Sequence, residues 1–343
     1  MARSLNTNTH DKDYFDTFIG PQLAYWKRWF VTALILLVMP MFSLAEDTAL
    51  VLTAPGDAFK EVISGITGDL EEELNFEIYV ISKGSKVSEV EQQISKHKPK
   101  IIILVENNAI NLYAKYQKAH PKAEFPPSVA VAALFVDRFI SKLKNATGIR
   151  YEIPAVTSIV NMRTVLQKPV KRVGVIHRKW MRGLIDDNNK YCLAEGIELV
   201  SIEIPNKDKK LDKKLKSGLK SLLNKKIDAL WVLNDNALLN ANMIRSAWLP
   251  VIGNAKLPVI VGIKPMLSTQ LNFGSFAIVP DHYALGVQAA SIIGEIMEED
   301  WYIGEREIEQ PVSVKKIVNI SVLDNKKVQY KQNEMQNMDE VVQ

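Results

Sequence analysis

From Ala49 onward the chain alternates short apolar runs with longer amphipathic stretches. The runs Leu50–Leu52, Phe76–Ile81, Ile101–Val105 and Val129–Phe135 have the length and composition of strands. Between them, Asp57–Leu74 and Lys86–Lys98 space their apolar residues as helices do: Phe59, Val62, Ile63 and Ile66 fall three and four residues apart, on one face. Strands that alternate with helices predict a mostly parallel sheet with crossover helices, which is one α/β lobe.

A non-periodic stretch, Asn145–Pro154, then interrupts the pattern and reads as a crossing between lobes. A second series follows, with strands expected at Val173–Ile176, Leu199–Ile204, Ala229–Leu233 and Val259–Ile263, and helices near 157–168, 181–195, 209–225 and 237–248. Beyond it lie a strand at Phe276–Val279, a helix at Tyr283–Glu298 and a last strand at Val314–Leu323, preceded by Glu309-Gln310-Pro311. One more βα unit and a lone strand imply that the chain recrosses between lobes. The expected fold is α/β: two doubly wound parallel-sheet lobes joined by a three-crossover hinge. The first lobe takes 46–153 with 275–311, and the second 154–274 with 312–325. A leader at 1–45 and a polar tail at 326–343 flank them, with residues beyond about 330 expected to fray.

Composition narrows the reading. With 343 residues, 47% of them hydrophobic, the chain has material for two cores. Its 24% charged residues nearly balance at +4, which is not the footprint of a nucleic-acid binder. The lysine-rich block Lys207–Lys226 keeps a helical stripe of Leu211, Leu215, Leu219 and Leu222, so it reads as a solvated helix face. Near the N-terminus, Lys27-Arg28 precede an apolar run from Trp29 to Met39, followed by Pro40 and Ser43-Leu44-Ala45. That order describes a signal peptide and implies a periplasmic protein. The run is short of the roughly 20 residues a membrane span needs. An uncleaved anchor is the alternative, because residues 1–26 are long and polar for a leader and carry Asp11, Asp13 and Asp16.

Catalytic patterns do not emerge. The lone Cys192 cannot form an internal disulfide and reads as a buried structural thiol. His10, His97, His120, His177 and His282 show no metal-ligand spacing. Gly-x-Ser-x-Gly, Gly-x-Gly-x-x-Gly and P-loop motifs are missing from the sequence. No metal, no cofactor and no enzymatic activity are expected.

Several segments in order resemble one family. Asn145-Ala146-Thr147-Gly148-Ile149 with Ile153-Pro154, then Val170–Ile176, is similar to the inter-lobe crossing of the ABC-transporter substrate-binding proteins that include tryptophan- and tyrosine-binding members. Leu230–Leu238, with its Asn234-Asp235-Asn236, resembles that family's second-lobe strand end. Leu257-Pro258-Val259-Ile260 and Pro280-Asp281-His282-Tyr283-Ala284-Leu285-Gly286 also match, the family usually carrying Asp-Tyr-Tyr-x-x-Gly at the latter. The chain departs from the pattern at His177-Arg178-Lys179-Trp180, where small polar turn residues are usual, and at Lys264-Pro265-Met266-Leu267. The resemblance covers roughly 49–325. It implies a type I periplasmic-binding fold that closes on a small polar ligand such as an amino acid, serves a membrane permease and ATPase, and works as a monomer. A periplasmic ligand-sensing protein without a transporter is the alternative.

In such folds ligands bind beyond the carboxyl ends of the strands, which here face each other across a cleft. The first lobe offers Thr53, Ala54, Glu106, Asn107, Asp137, Asp281, His282 and Tyr283, and the second His177, Arg178, Asn234, Asp235, Asn236 and Lys264. Capping competes with binding at several of them: Thr53 is placed to close a turn, and Asp235, Asn236 and Asp281 are placed to cap helices. Tyr283 has a ring that can stack on a ligand, and Arg178 a guanidinium suited to a carboxylate or phosphate. Arg138 reads as an exposed helix residue.

Overall fold

The computed structural model describes residues 47–82 and 84–343. The expected leader lies outside them. Among the described residues, no helix is long and apolar enough to cross a membrane.

The first sheet is built from β1 (Asp47–Thr53), β2 (Leu74–Val80), β3 (Ile101–Val105), β4 (Ser128–Ala133) and β5 (Ala146–Arg150), in the order β2-β1-β3-β4-β5 and all parallel. Helices α1 (Asp57–Leu70), α2 (Val87–His97), α3 (Asn107–Ala119) and the short α4 (Val136–Ile140) connect them. All five residues of β3 are buried, as expected for a central parallel strand covered on both faces. Alternation sorts the side chains: Leu50, Leu52, Ile102 and Leu104 pack on one face, and Val51, Ile101, Ile103 and Val105 on the other.

The second lobe begins with α5 (Ala155–Val165), β6 (Arg172–Arg178), α6 (Arg182–Ala194), β7 (Glu198–Ile204), α7 (Leu211–Asn224) and β8 (Ala229–Trp231). A helical segment follows, α8 (Ala241–Met243) joined through a π turn, Ile244–Trp248, to α9 (Leu249–Ile252). Then come β9 (Val259–Val261) and β10 (Phe276–Pro280). The chain next crosses to form α10 (His282–Glu298) and returns for β11 (Val314–Asn319), α11 (Ile320–Asn325) and β12 (Glu340–Val342). The sheet order is β12-β11-β10-β9-β8-β6-β7, parallel except for the β10–β11 pair. Cys192 is fully buried between α6 and this sheet, and burial pushes its thiol up to about 11.

Four expectations need correction. Residues 276–280 were expected in the first lobe, but β10 pairs with β9 and β11 and is buried throughout, so the second crossing falls at Asp281. From there α10 and the segment after it, through Glu309, return to the first lobe, where α10 packs on α1. There Gly65 and Gly286 meet so closely that a Cβ on either would collide with a backbone carbonyl, that of Tyr283 or of Val62. Next, the stretch 145–154 is not all crossing, because Ala146–Arg150 pairs with β4 as β5. Its Ala-Thr-Gly-Ile-Arg lacks an apolar run, since Gly148 packs directly under the Ala130 carbonyl. Finally, the tail 326–343 is not frayed. Its β12 pairs with β11, Tyr330 bridges to Leu166, and the buried Lys326 ammonium donates to the Ile252 carbonyl at 2.8 Å. The last strand also ends earlier than expected, because the Asn319 side chain accepts from Val322 N–H and starts α11.

The crossings support one another. Glu309 runs beside β5, donating to the Gly148 carbonyl and accepting from Arg150 N–H, while Asp281 N–H donates to the Ser313 carbonyl. Gln288 of α10 holds the third crossing, donating to Glu309 and to the Gln310 carbonyl and accepting from Val312 N–H.

Candidate functional site

Two cavities open where the lobes meet, one of about 490 Å³ and one of about 840 Å³. Both lie within the range of small-molecule sites. Side-chain alternation at the strand ends and crossings divides them: Phe135, Glu152, Gly262 and Ile278 line the smaller, while their neighbours Leu134, Tyr151, Ile263 and Val279 line the larger.

The larger cavity collects five of the expected residues. Glu106, Asn107 and His282 come from the first lobe, and Asn236 and Lys264 from the second. Four of the five have local side-chain partners. Glu106, at φ 82°, accepts from Asn108 N–H and starts α3. Asn107 holds the β4 end, its amide donating to the Leu134 carbonyl at 2.7 Å and accepting from Leu134 N–H at 2.9 Å. Lys264 pairs with Glu340 at 2.7 Å, so the C-terminal strand forms part of the wall. His282 lies 2.9 Å from the Tyr151 hydroxyl, with the rings stacked, and 3.7 Å from Glu61. Burial holds the imidazole below its ordinary value against the pull of Glu61, and burial pushes Tyr151 up to about 12. The tyrosine therefore keeps its proton and can donate to a neutral His282. These two residues stand on different crossings.

The smaller cavity contains two expected residues, Asp137 and Asn234. Asp137 is bound by Arg150, whose Nε lies 3.0 Å away. Asn234 is only 7% exposed; its Nδ2 donates to the Gly262 carbonyl at 3.3 Å, and its Oδ1 has no protein partner. Around them stand Phe135, Arg138, Glu152 and Trp180, none of which the sequence singled out as site residues. Trp180 of the second lobe meets Phe135 of the first edge-on at 5.1 Å, and the Arg138 guanidinium lies 4.4 Å over its ring. Arg138 is an exposed helix residue, as expected, and its guanidinium still reaches the Trp180 ring. The signal for Trp180 was present in its departure from the family's small turn residues. The Glu152 carboxylate accepts from Phe135 N–H at 2.9 Å. Burial pushes it up to about 7, outweighing that hydrogen bond, with Asp137 adding to the rise and Arg150 opposing it.

The remaining seven expected residues line neither cavity. Thr53 donates its hydroxyl to the Ala54 carbonyl, closing the turn, and Ala54 forms that turn. His177 is buried, with Nδ1 at 3.2 Å from the Arg178 carbonyl. Arg178 and Asp235 satisfy each other in a bidentate pair at 2.6 and 2.7 Å, and Asp235 also accepts from Ala237 N–H. Asp281 caps α10 and contacts Lys315 at 3.2 Å. Tyr283 is 51% exposed and its hydroxyl runs toward Gly68 on α1, so its ring does not stack in the cleft. Among the described residues, no group of three or more His, Cys, Asp or Glu side chains is gathered to hold a metal ion.

Two parallel-sheet lobes joined by three crossings, with cavities between facing strand ends, define the type I periplasmic-binding-protein fold. Solved structures share it. The ABC domain in complex with L-Trp from Streptococcus pneumonia matches with a TM-score of 0.59 and 16% identity, over 87% of this chain and 100% of that one. A ligand-free, open substrate-binding protein with adhesive properties from Clostridium difficile matches with a TM-score of 0.62 and 15% identity, over 87% and 99%. A conserved domain protein from Vibrio cholerae gives 0.57 and 16%, over 86% and 99%. At these identities the likeness is one of fold. No family model matches the chain, and no curated protein does.

Proposed function

We propose that this chain is an exported solute-binding protein of an ABC-type uptake system, which closes its lobes on a small polar ligand and presents it to a membrane permease and ATPase. The observation that carries the reading is that each cavity draws its walls from both lobes: Glu106, Asn107 and His282 face Asn236 and Lys264, and Phe135 and Arg138 face Trp180 and Asn234. A ligand touching both sides has its full set of contacts only when the lobes are together, so its binding free energy favours the closed state. Binding is favoured over catalysis because charged groups lining the cavities are paired off, Asp137 with Arg150 and Lys264 with Glu340. The solved substrate-binding proteins of the same fold support this reading.

Thermal unfolding of the chain from residue 46 against amino acids, nucleobases, sugars and inorganic anions tests it. A ligand at a hundred times its Kd stabilises by about 2.7 kcal/mol. At least one class is expected to raise the midpoint and to reduce the radius of gyration in solution scattering. A panel with no stabilising compound would remove the basis for transport.

A further inference from the structure

We infer that the 490 Å³ compartment takes a flat N-heteroaromatic ring of the nucleobase kind, one that offers an N–H donor to Asn234 Oδ1 and an acceptor to the Trp180 indole N–H. This rests on the solute-binding reading and names the ligand class for it. Two buried polar atoms lead to it. Trp180 Nε1 and Asn234 Oδ1 are both inaccessible, both lack a protein partner, and both belong to residues that line this one cavity. Folded proteins leave few such atoms, because an unpaired buried group keeps its desolvation cost without compensation.

The Asn234 amide is oriented, so its oxygen is the atom left over. Its Nδ2 faces the Gly262 carbonyl at 3.3 Å, and a Cβ at residue 262 would stand only 2.7 Å from Oδ1. Glycine thus lets the amide lie against the strand end. The cavity therefore asks its ligand for a donor in one place and an acceptor in another.

The walls add shape and charge. Phe135, Trp180, Trp231 and Tyr191 supply aromatic surface, with the first from one lobe and the others from the other. A flat ring fits such walls by stacking. Among the lining charges Asp137 is already bound to Arg150, Arg138 and Asp187 offset each other, and burial keeps Glu152 largely protonated below about 7. The lining thus gives a charged ligand group no net attraction. An aliphatic amide meets the donor and acceptor demands but leaves the aromatic walls unused. Indole stacks and donates but has no acceptor for Trp180. A nucleobase edge meets all three demands.

Calorimetric titration of the chain from residue 46 tests this with hypoxanthine, cytosine, benzimidazole, indole, tryptophan and tyrosine as probes. Benzimidazole and indole have the same shape, and only benzimidazole carries a ring acceptor. The expected result is saturable binding of at least one nucleobase, with benzimidazole about 10-fold or more tighter than indole. The variant Trp180→Phe keeps an aromatic wall and removes the N–H, so it should close the gap between the two probes. Asn234→Leu should weaken the nucleobase by about 10-fold or more, provided its circular dichroism and unfolding midpoint match the parent. Trp180→Phe alone decides if Asn234→Leu does not fold. Equal binding of benzimidazole and indole, or a gap unchanged in Trp180→Phe, overturns the inference. Amino-acid binding with no heterocycle binding overturns the ligand class and leaves the solute-binding reading standing. Silence from every probe and from the wider panel above overturns both.

Discussion

Asp235 and Arg178 show how a residue can sit at a strand end without serving a ligand. The carboxylate is 3% exposed and the guanidinium 17%, and they meet through two short contacts. Arg178 also donates to the Asn206 carbonyl, so the pair ties the ends of β6, β7 and β8 together. The cost of removing one partner comes from leaving the other buried and uncompensated, and is about 3–5 kcal/mol. Asp235→Leu is therefore expected to lower urea-unfolding stability by about that amount. The double variant Arg178→Met/Asp235→Leu should recover much of the loss, because it leaves no charge unpaired. Equal losses in the single and double variants would mean that the pair contributes through packing alone.

Among the elements, α10 separates two uses of glycine. Gly286 lies where α10 crosses α1, against Gly65 and the Val62 carbonyl, and has no room for a methyl group. Gly294, two turns further along the same helix, has nothing within 4 Å of where a Cβ would be. Gly286→Ala should therefore lower the thermal midpoint through overpacking that costs about 1–3 kcal/mol. Gly294→Ala should raise it, by about 0.5–1 kcal/mol, because alanine gives up less conformational freedom in a helix. Melting both variants side by side checks the opposite signs. The same scale shows where local pattern informs and where it does not. The runs at 101–105 and 199–204 announced their strands because they are apolar or alternating. β5 and β12 did not, because Ala146–Arg150 is stabilised by neighbours on both sides and Glu340–Val342 by β11, and neither contact leaves a period in its own residues.

For the whole molecule, Glu152 links the first crossing to acid–base behaviour. Its carboxyl ionises near 7 when folded and near 4.5 in its ordinary state, burial being the main cause. The folded chain thus holds a proton that the unfolded chain releases between those values. Stability should fall as pH rises from about 4.5 to 7 and change little from this group above it. The size is on the order of 3–4 kcal/mol, since each unit is worth about 1.4 kcal/mol. Asp137 and Arg150, the neighbouring charges, act in opposite directions. Urea midpoints for the parent and Glu152→Gln at pH 5, 6 and 7.5 isolate the contribution, and the difference between the two proteins should vary with pH in this sense.

What the sequence determined by itself was the architecture of two α/β lobes and the strand ends from which a site is drawn. Periods of two and of three to four residues state which face of each element is buried, and this information is local. The tertiary structure decided which strand-end groups remain for a ligand. Arg178 and Asp235 stand 57 positions apart and cancel one another; Lys264 meets Glu340 from a tail whose composition is polar. Trp180 became a wall of the cleft because Phe135 and Arg138 of the other lobe came against it. Such partnerships depend on how the lobes and crossings pack, and residues distant in sequence carry no mark of them until the chain is folded.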